Sequence, residues 1–301
     1  MNLGINIAGV NWKNPITTAS GTVNSGKEYS EYVDFSKIGA ITSKGVAPKA
    51  WTGNATPRIA ETFGGMINAI GLQNAGVEAF INDDIPFLKR LGTNVIVNVC
   101  GRDADEFATV ASRLEAAGGV DMLEINVSCP NVKEGGVAFA QDPRATEAII
   151  SAVKKATKLP IIAKLSPNVT SIAEIAKAAE AAGADAISLI NTVLAMRIDI
   201  HTKKPILANV MGGLSGPAIK PIAVRCVFQA YKAVKIPLIG MGGIMTGDDA
   251  IEFILAGATA VAVGTANFSN PRATLDILDG IKAYMTKHGV TDINELIGGA
   301  S

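Results

Sequence analysis

The 301-residue sequence predicts one (β/α)8 TIM barrel, and three observations carry that expectation. One junction recurs along the chain: a helix end, a Gly or Pro, then an apolar strand. The strands that follow it are runs of Val, Ile, Leu and Ala without alternation, as parallel strands buried on both faces read. Eight such units fill the length with no linker between them, and α/β barrels commonly use this length as a single domain, here residues 1–301. An open doubly wound sheet is the alternative, but it would normally stop earlier.

The elements follow in order. Residues 1–14 alternate around Gly9 and Asn11 like a hairpin and are expected at the barrel bottom. Residues 15–20 supply the first strand. The second to eighth strands are opened by Lys37-Ile-Gly-Ala-Ile41, Leu91-Gly-Thr-Asn-Val95, Ala117-Gly-Gly-Val-Asp121, Lys158-Leu-Pro-Ile-Ile162, Ala182-Gly-Ala-Asp-Ala186, Lys235-Ile-Pro-Leu-Ile239 and Ala256-Gly-Ala-Thr-Ala260. Glycine closes a helix because it accepts the left-handed conformation, and proline stops one because it cannot continue the hydrogen bonding. Ala/Glu/Lys-rich periodic stretches such as 172–182 and 248–256 are the intervening helices. Residues 193–215 are too many for a simple connection and predict an insertion over the C-terminal face.

Composition narrows the function. With 27 basic and 27 acidic residues scattered along the chain, there is no basic stripe for nucleic acid. Cys100, Cys129 and Cys226 show no pairing pattern, which suits a reducing cytoplasm. Two histidines and no CxxC argue against zinc or an iron–sulfur cluster in this chain. The first residues lack the basic and apolar regions of a signal peptide. The uncharged stretch 253–271 is interrupted by Gly257, Gly264 and Asn267, so no membrane association is expected.

The most informative segment is Asn126-Val-Ser-Cys-Pro-Asn131, where the fourth strand gives way to its loop. Strand ends of this kind are where parallel α/β proteins do chemistry. A thiol with an ordinary pKa of about 8.5 can serve as a base in weakly alkaline conditions. A buried structural cysteine is the commoner fate of an unpaired one; the polar loop position favours the functional reading. On the same face fall Ser20-Gly21, Ser43-Lys44-Gly45, Asn98, Asn126, Lys164-Leu165-Ser166, Asn191-Thr192, Gly242-Gly243 and Gly264-Thr265. Glycines after the seventh and eighth strands let backbone N–H groups approach a phosphate. Lysines ending the second and fifth strands imply an anionic partner, because an unpaired buried ammonium is costly. Asparagines suit a flat heterocycle with amide and imide edges. Together these describe an FMN site facing a second ring.

The segments Asn126-Val-Ser-Cys-Pro-Asn131, Asn68-Ala-Ile-Gly-Leu-Gln-Asn74, Lys164-Leu-Ser-Pro-Asn-Val169 and Gly240-Met-Gly-Gly-Ile244 resemble the family 1 dihydroorotate dehydrogenases. So do Ile190-Asn-Thr192, the stretch from Gly212 to Pro221 and that from Val261 to Phe268. The resemblance covers nearly the whole chain and is greatest to the B type, the catalytic subunit that works with an iron–sulfur flavoprotein. Family 2 enzymes carry an N-terminal membrane-associating extension, whereas this chain starts at the hairpin. Residues 47–51 and 63–65 depart from the usual family wording.

The resemblance implies that Cys129 removes a proton from C5 of dihydroorotate while hydride from C6 passes to FMN, giving orotate. It places Lys164 near the flavin N1–O2 edge and Lys44 against both flavin and substrate. Asn68, Ala69, Ile70, Gly71, Leu72, Asn126, Asn191 and Thr192 would hold the pyrimidine. Ser20, Gly21, Gly45, Asn98, Asn126, Ile190, Gly216, Gly242, Gly243, Gly264 and Thr265 would cradle one FMN per subunit. A homodimer is implied, and a heterotetramer with a subunit carrying FAD and a 2Fe-2S cluster that relays electrons to NAD⁺. The alternatives are an A-type homodimer using fumarate, a dihydropyrimidine dehydrogenase-like module, a non-redox sugar-phosphate barrel and a non-catalytic flavin scaffold. Gly135-Gly136 is a hinge candidate for a lid over residues 131–140 that would close Val137 and Phe139 on the ring. Cys100 ends the third strand without a motif around it; Cys226 is expected in the core, His201 on the surface, and Trp51 and Phe63 packing the loop after strand two.

Overall fold

A computed structural model describes residues 1–127 and 142–300. Cys129 and the lid expected over 131–140 lie outside the described residues. The strands are β1 (Ile5–Ile7), β2 (Val10–Trp12), β3 (Ile16–Thr18), β4 (Ala40–Thr42), β5 (Ile59–Thr62), β6 (Gly65–Asn68), β7 (Asn94–Val99) and β8 (Met122–Asn126). They continue with β9 (Ile161–Lys164), β10 (Ala186–Leu189), β11 (Val193–Met196), β12 (Ile198–Asp199), β13 (Lys204–Pro205), β14 (Met211–Ser215), β15 (Leu238–Met241) and β16 (Ala260–Val263).

Among the described residues, eight strands form the parallel sheet expected, in the order β3-β16-β15-β10-β9-β8-β7-β4. Chain order and spatial order agree all the way round, as in a (β/α)8 barrel. The two end strands meet through side chains. The Thr42 amide donates to Thr18 Oγ1 at 2.9 Å, Thr18 Oγ1 donates to the Thr42 carbonyl at 3.2 Å, and the hydroxyls of Thr17 and Thr42 lie 3.1 Å apart. One backbone bond, from Gly39 to the Ile16 carbonyl at 2.9 Å, adds to this seam. Thr18→Val keeps the shape but orphans the buried Thr42 amide. It is expected to cost about 1–3 kcal/mol in urea unfolding, and an unchanged midpoint would show that the seam is held otherwise.

The helices are α1 (Val77–Ala79), α2 (Ile85–Leu88), α3 (Ala104–Ala117), α4 (Pro143–Ala156), α5 (Ile172–Ala181), α6 (Lys220–Ala233), α7 (Gly247–Leu255), α8 (Ala266–Ser269) and α9 (Ala273–His288). Local sequence starts them: Asp103, Ser171 and Thr246 each cap a helix by accepting an amide of the first turn. α1 and α2 are joined by a π-helical turn over Phe80–Asp84. Pro86 lacks the N–H that an α-helix would need there. Both faces of the barrel strands are buried, which is why the strands do not alternate between apolar and solvent-facing residues.

Two additions position the site. β1 and β2 form the expected hairpin, and it lies where strands begin: the Asn94 amide donates to the Asn11 carbonyl, and Lys13 Nζ reaches the carbonyls of Ser36 and Gly92. At the opposite end, residues 193–215 form β11 to β14, as an insertion. It does not stand alone. β11, β14, β6 and β5 make one antiparallel sheet, so the loop after β4 contributes half of it. That corrects the reading of Phe63, which does not pack at all: it sits fully exposed in the tight turn between β5 and β6. Trp51 pairs with Asn74 and lies under the Arg102 guanidinium, 5.2 Å from the ring centre.

Candidate active site

Strand pairing brings the polar side chains of β7 to β10 together. Asn98 is aligned with Glu124, Asn126 with Lys164, and Lys164 with Ser188. Alternation along each strand then turns Asn98, Glu124, Asn126, Lys164 and Ser188 to the same side, the barrel interior. Asn98 Nδ2 donates to Glu124 Oε1 at 2.7 Å, and Ser188 Oγ donates to Glu124 Oε2 at 2.8 Å. The Cys100 thiol donates to Asn98 Oδ1 at 3.5 Å, and Asn126 Nδ2 points at the same sulfur from 4.0 Å. Cys100 therefore belongs to this cluster despite lacking a motif. Cys226, by contrast, is buried on α6, where burial raises its thiol pKa, and His201 is exposed in the turn after β12.

Burial pushes the Lys164 ammonium below its ordinary pKa; Glu124 and Cys100 oppose that shift, and Lys44 adds to it. Lys44 is likewise lowered by burial and opposed by Cys100. The sequence expectation is an anionic partner for both lysines; beside it, Glu124, which sequence reading missed, favours the charged form of Lys164. The signal was present: a carboxylate in the middle of Met122-Leu-Glu-Ile-Asn126, a strand buried along its whole length.

The glycines mark close approaches. Lys44 lies against Gly21, whose added Cβ would sit 3.3 Å from Lys44 Nζ, and any Cβ on Gly45 would collide with Cys100 and Asn98. Gly242 and Gly243 both have positive φ, and a Cβ on Gly243 would lie 2.9 Å from the Gly216 carbonyl and from Lys220 at the start of α6. That loop is braced by Asp249, which accepts the amides of Met245 and Thr246 and pairs with Lys220 at 2.6 Å. Gly264 and Thr265 open α8, where Asn267 Nδ2 returns to the Val263 carbonyl at 3.0 Å. Gly264 lies beside Ala19, which precedes Ser20.

The segment from Asn68 to Leu72 leaves the end of β6. Asn54 fixes it, donating from its backbone to the Ile70 carbonyl and from its side chain to that of Ala69, each at 3.0 Å. Gly71 and Leu72 both have positive φ, turning the chain back. Asn74 holds the turn, accepting from the amides of Ala47 and Gly76 and donating to the Leu72 carbonyl. On the other side, the backbone amides of Ile190 and Asn191 are used by Met241 and Leu165. Asn191 Oδ1 accepts from the Thr192 amide at 2.9 Å. Asn168, to which sequence reading gave no role, clamps this strand entry by donating to the Thr192 carbonyl and accepting from the Leu194 amide.

Among the described residues, no group of three His, Cys, Asp or Glu side chains could hold a metal ion, and no helix is long and apolar enough to cross a membrane. The cluster of amides, lysines and glycines lies at the strand ends, where (β/α)8-barrel enzymes carry their active sites. The family model for dihydroorotate dehydrogenase matches residues 2–285. The chain is 61% identical over 297 residues to the dihydroorotate dehydrogenase B (NAD(+)) catalytic subunit of Alkaliphilus oremlandii, covering 99% of this chain and 98% of that one. It is 56% identical to the protein of the same name from Desulforamulus reducens, covering 100% and 99%. The crystal structure of the Eimeria tenella dihydroorotate dehydrogenase in complex with ferulenol superposes with a TM-score of 0.83 at 23% identity, covering 99% of this chain and 88% of that one, and shares the fold. This chain belongs to the dihydroorotate dehydrogenase family.

Proposed function

We propose that this chain, as one FMN-binding domain in the cytoplasm, oxidises dihydroorotate to orotate at the strand-end cluster and passes the electrons to NAD⁺ through a partner subunit. Dihydroorotate oxidation in pyrimidine biosynthesis is the activity of the family to which it belongs. The observation that carries the assignment to this site is the convergence of Lys44, Lys164, Asn98 and Asn126 with a glycine rim on one face of the barrel.

The residues fit FMN. At Gly216, Gly242 and Gly243 the chain packs too closely for any Cβ, with neighbouring atoms at 2.7, 2.9 and 2.9 Å, so these loops offer bare backbone close to where barrels hold phosphate. Buried Lys164 and part-buried Lys44, whose charge is disfavoured by burial, gain from an anion beside them. When bound, FMN supplies the two-electron acceptor. Cys129 takes the C5 proton. Lys44 and Lys164 direct positive charge at the flavin, with Ser20, Gly21, Gly45, Ile190, Gly264 and Thr265 around its other parts. Asn68, Ala69, Ile70, Gly71 and Leu72 grip the pyrimidine from one side, and Asn126, Asn191 and Thr192 from the other.

The assembly is a homodimer extended to a heterotetramer by a subunit carrying FAD and a 2Fe-2S cluster, with no contact to nucleic acid or membrane. To test the site, dihydroorotate is added without oxygen to the purified chain loaded with FMN. Bleaching of the flavin absorbance with no other acceptor present is expected. A chain that takes up no FMN, or a loaded one that dihydroorotate leaves yellow, would overturn the reading.

A further inference from the structure

Among the described residues, Glu124 and Lys164 are the only buried members of the Asp, Glu, Lys, Arg and His side chains, 3% and 5% exposed, and they share one cluster. Both Glu124 oxygens accept hydrogen bonds, from Asn98 and Ser188, as a carboxylate does. Its position is fixed by strand register, since Ser188 is itself the neighbour of Lys164 on β10. Glu124 lies one inward position behind Asn126, further from the strand ends. Removing a buried carboxylate's partners is costly, yet nothing in the barrel core requires a carboxylate at this point unless a charge needs balancing.

We propose that Glu124 is a positioning residue that keeps Lys164 protonated before the flavin is reduced, so that the cation is in place rather than recruited during the reaction. This rests on the FMN reading of the site. The groups facing Lys164 are Glu124 on β8, Cys100 after β7 and Lys44 after β4, and of these Glu124 is the largest influence favouring its charged form. With Lys164 charged throughout, two-electron reduction to the flavin anion takes up one proton, on the flavin itself. If Lys164 were neutral beforehand, the developing anion would draw a second proton to the amine, and the reduction would take up two. The balance is FMN plus two electrons plus one proton in the first case, and one further proton on Lys164 in the second.

The test is Glu124→Gln in the full chain. Glutamine has the same shape and can bond both Asn98 and Ser188, so it removes the charge alone. Ser188→Ala is the control, losing a bond but keeping the charge. Two measurements are made: the lysine side-chain carbon shift of Lys164 against pH, with FMN and after its removal, and the midpoint potential of bound FMN against pH. In wild type and Ser188→Ala, the potential is expected to fall with the slope of one proton per electron pair. In Glu124→Gln the slope doubles over the range in which Lys164 is neutral before reduction, and the Lys164 titration moves to lower pH. Equal slopes and an unmoved titration in all three proteins would overturn the role of Glu124, as would a Ser188→Ala protein that behaves like Glu124→Gln. If wild type takes up no FMN, it is the reading of the site that fails; the titration of Lys164 in the flavin-free chain still decides whether Glu124 governs its charge.

Discussion

Replacing Cys129 with serine is expected to leave FMN bound and to slow its reduction by dihydroorotate by about 10²–10⁴-fold at pH 7, the usual contribution of a positioned general base. A serine hydroxyl ionises far above the thiol, so proton removal falls to solvent base and the deficit shrinks as pH rises. Single-turnover absorbance measurements separate this effect from flavin loss, because the yellow spectrum of the variant reports retention directly. Wild-type reduction rates in the serine variant at pH 7 would remove Cys129 as the base. A variant that loses rate and flavin together would point to a structural thiol instead.

The second large effect concerns the electron acceptor. Assayed by itself, the chain is expected to reduce artificial dyes with dihydroorotate but to give no measurable NAD⁺ reduction. Adding the co-purified iron–sulfur flavoprotein should bring that activity on. Three cysteines, of which Cys100 and Cys226 are buried apart in the cluster and on α6, cannot ligate an iron–sulfur cluster. The loop Gly240-Met-Gly-Gly-Ile244 lacks dinucleotide-binding spacing and turns into a brace by Lys220 and Asp249. The competing assignment is a homodimer that uses a soluble acceptor such as fumarate. Efficient fumarate turnover by the isolated chain, with no gain in NAD⁺ reduction when the partner is added, would establish that alternative. A dimer is expected in either case and so does not discriminate.

Much of this was legible before any coordinates, and for local reasons. The helix-closing Gly or Pro before each apolar run marks every barrel strand from β4 to β16, because stop signals and burial on both faces are properties of short segments. The insertion over 193–215 was visible as excess length. Its partner strands β5 and β6 were not, since pairing across more than a hundred residues leaves no local pattern and Gly65 and Gly213 weaken any strand signal. The same holds inside the site. Lys44 and Lys164 stood out as charges at strand ends. Glu124 was passed over because it precedes the strand end, where a sequence shows the residue but not the Asn98 and Ser188 that receive it. Asn168 and Asn74 were hidden for a further reason: their side chains serve backbone groups, and backbone groups have no sequence. Phe63 was misread because an aromatic beside glycines looks like packing, while a hairpin turn simply projects it outward.

The four-stranded sheet over the C-terminal face works as a calliper. One jaw is Asn68 at the end of β6, the other is Thr192 just before β11, and β14 lies between them as the beam. Asn68, Gly213 and Leu194 stand in one row across it. Two strand spacings set the backbones of β6 and β11 roughly 10 Å apart, with β14 filling the space between them. Thr192 leans over Gly213, where a methyl group would not fit, so the gap is set by backbone ladders rather than by adjustable side chains. The spacing of Asn68 and Thr192, the residues proposed to hold the pyrimidine, is thus set by this sheet and not by the barrel beneath, and a shift of register in β14 would displace both at once.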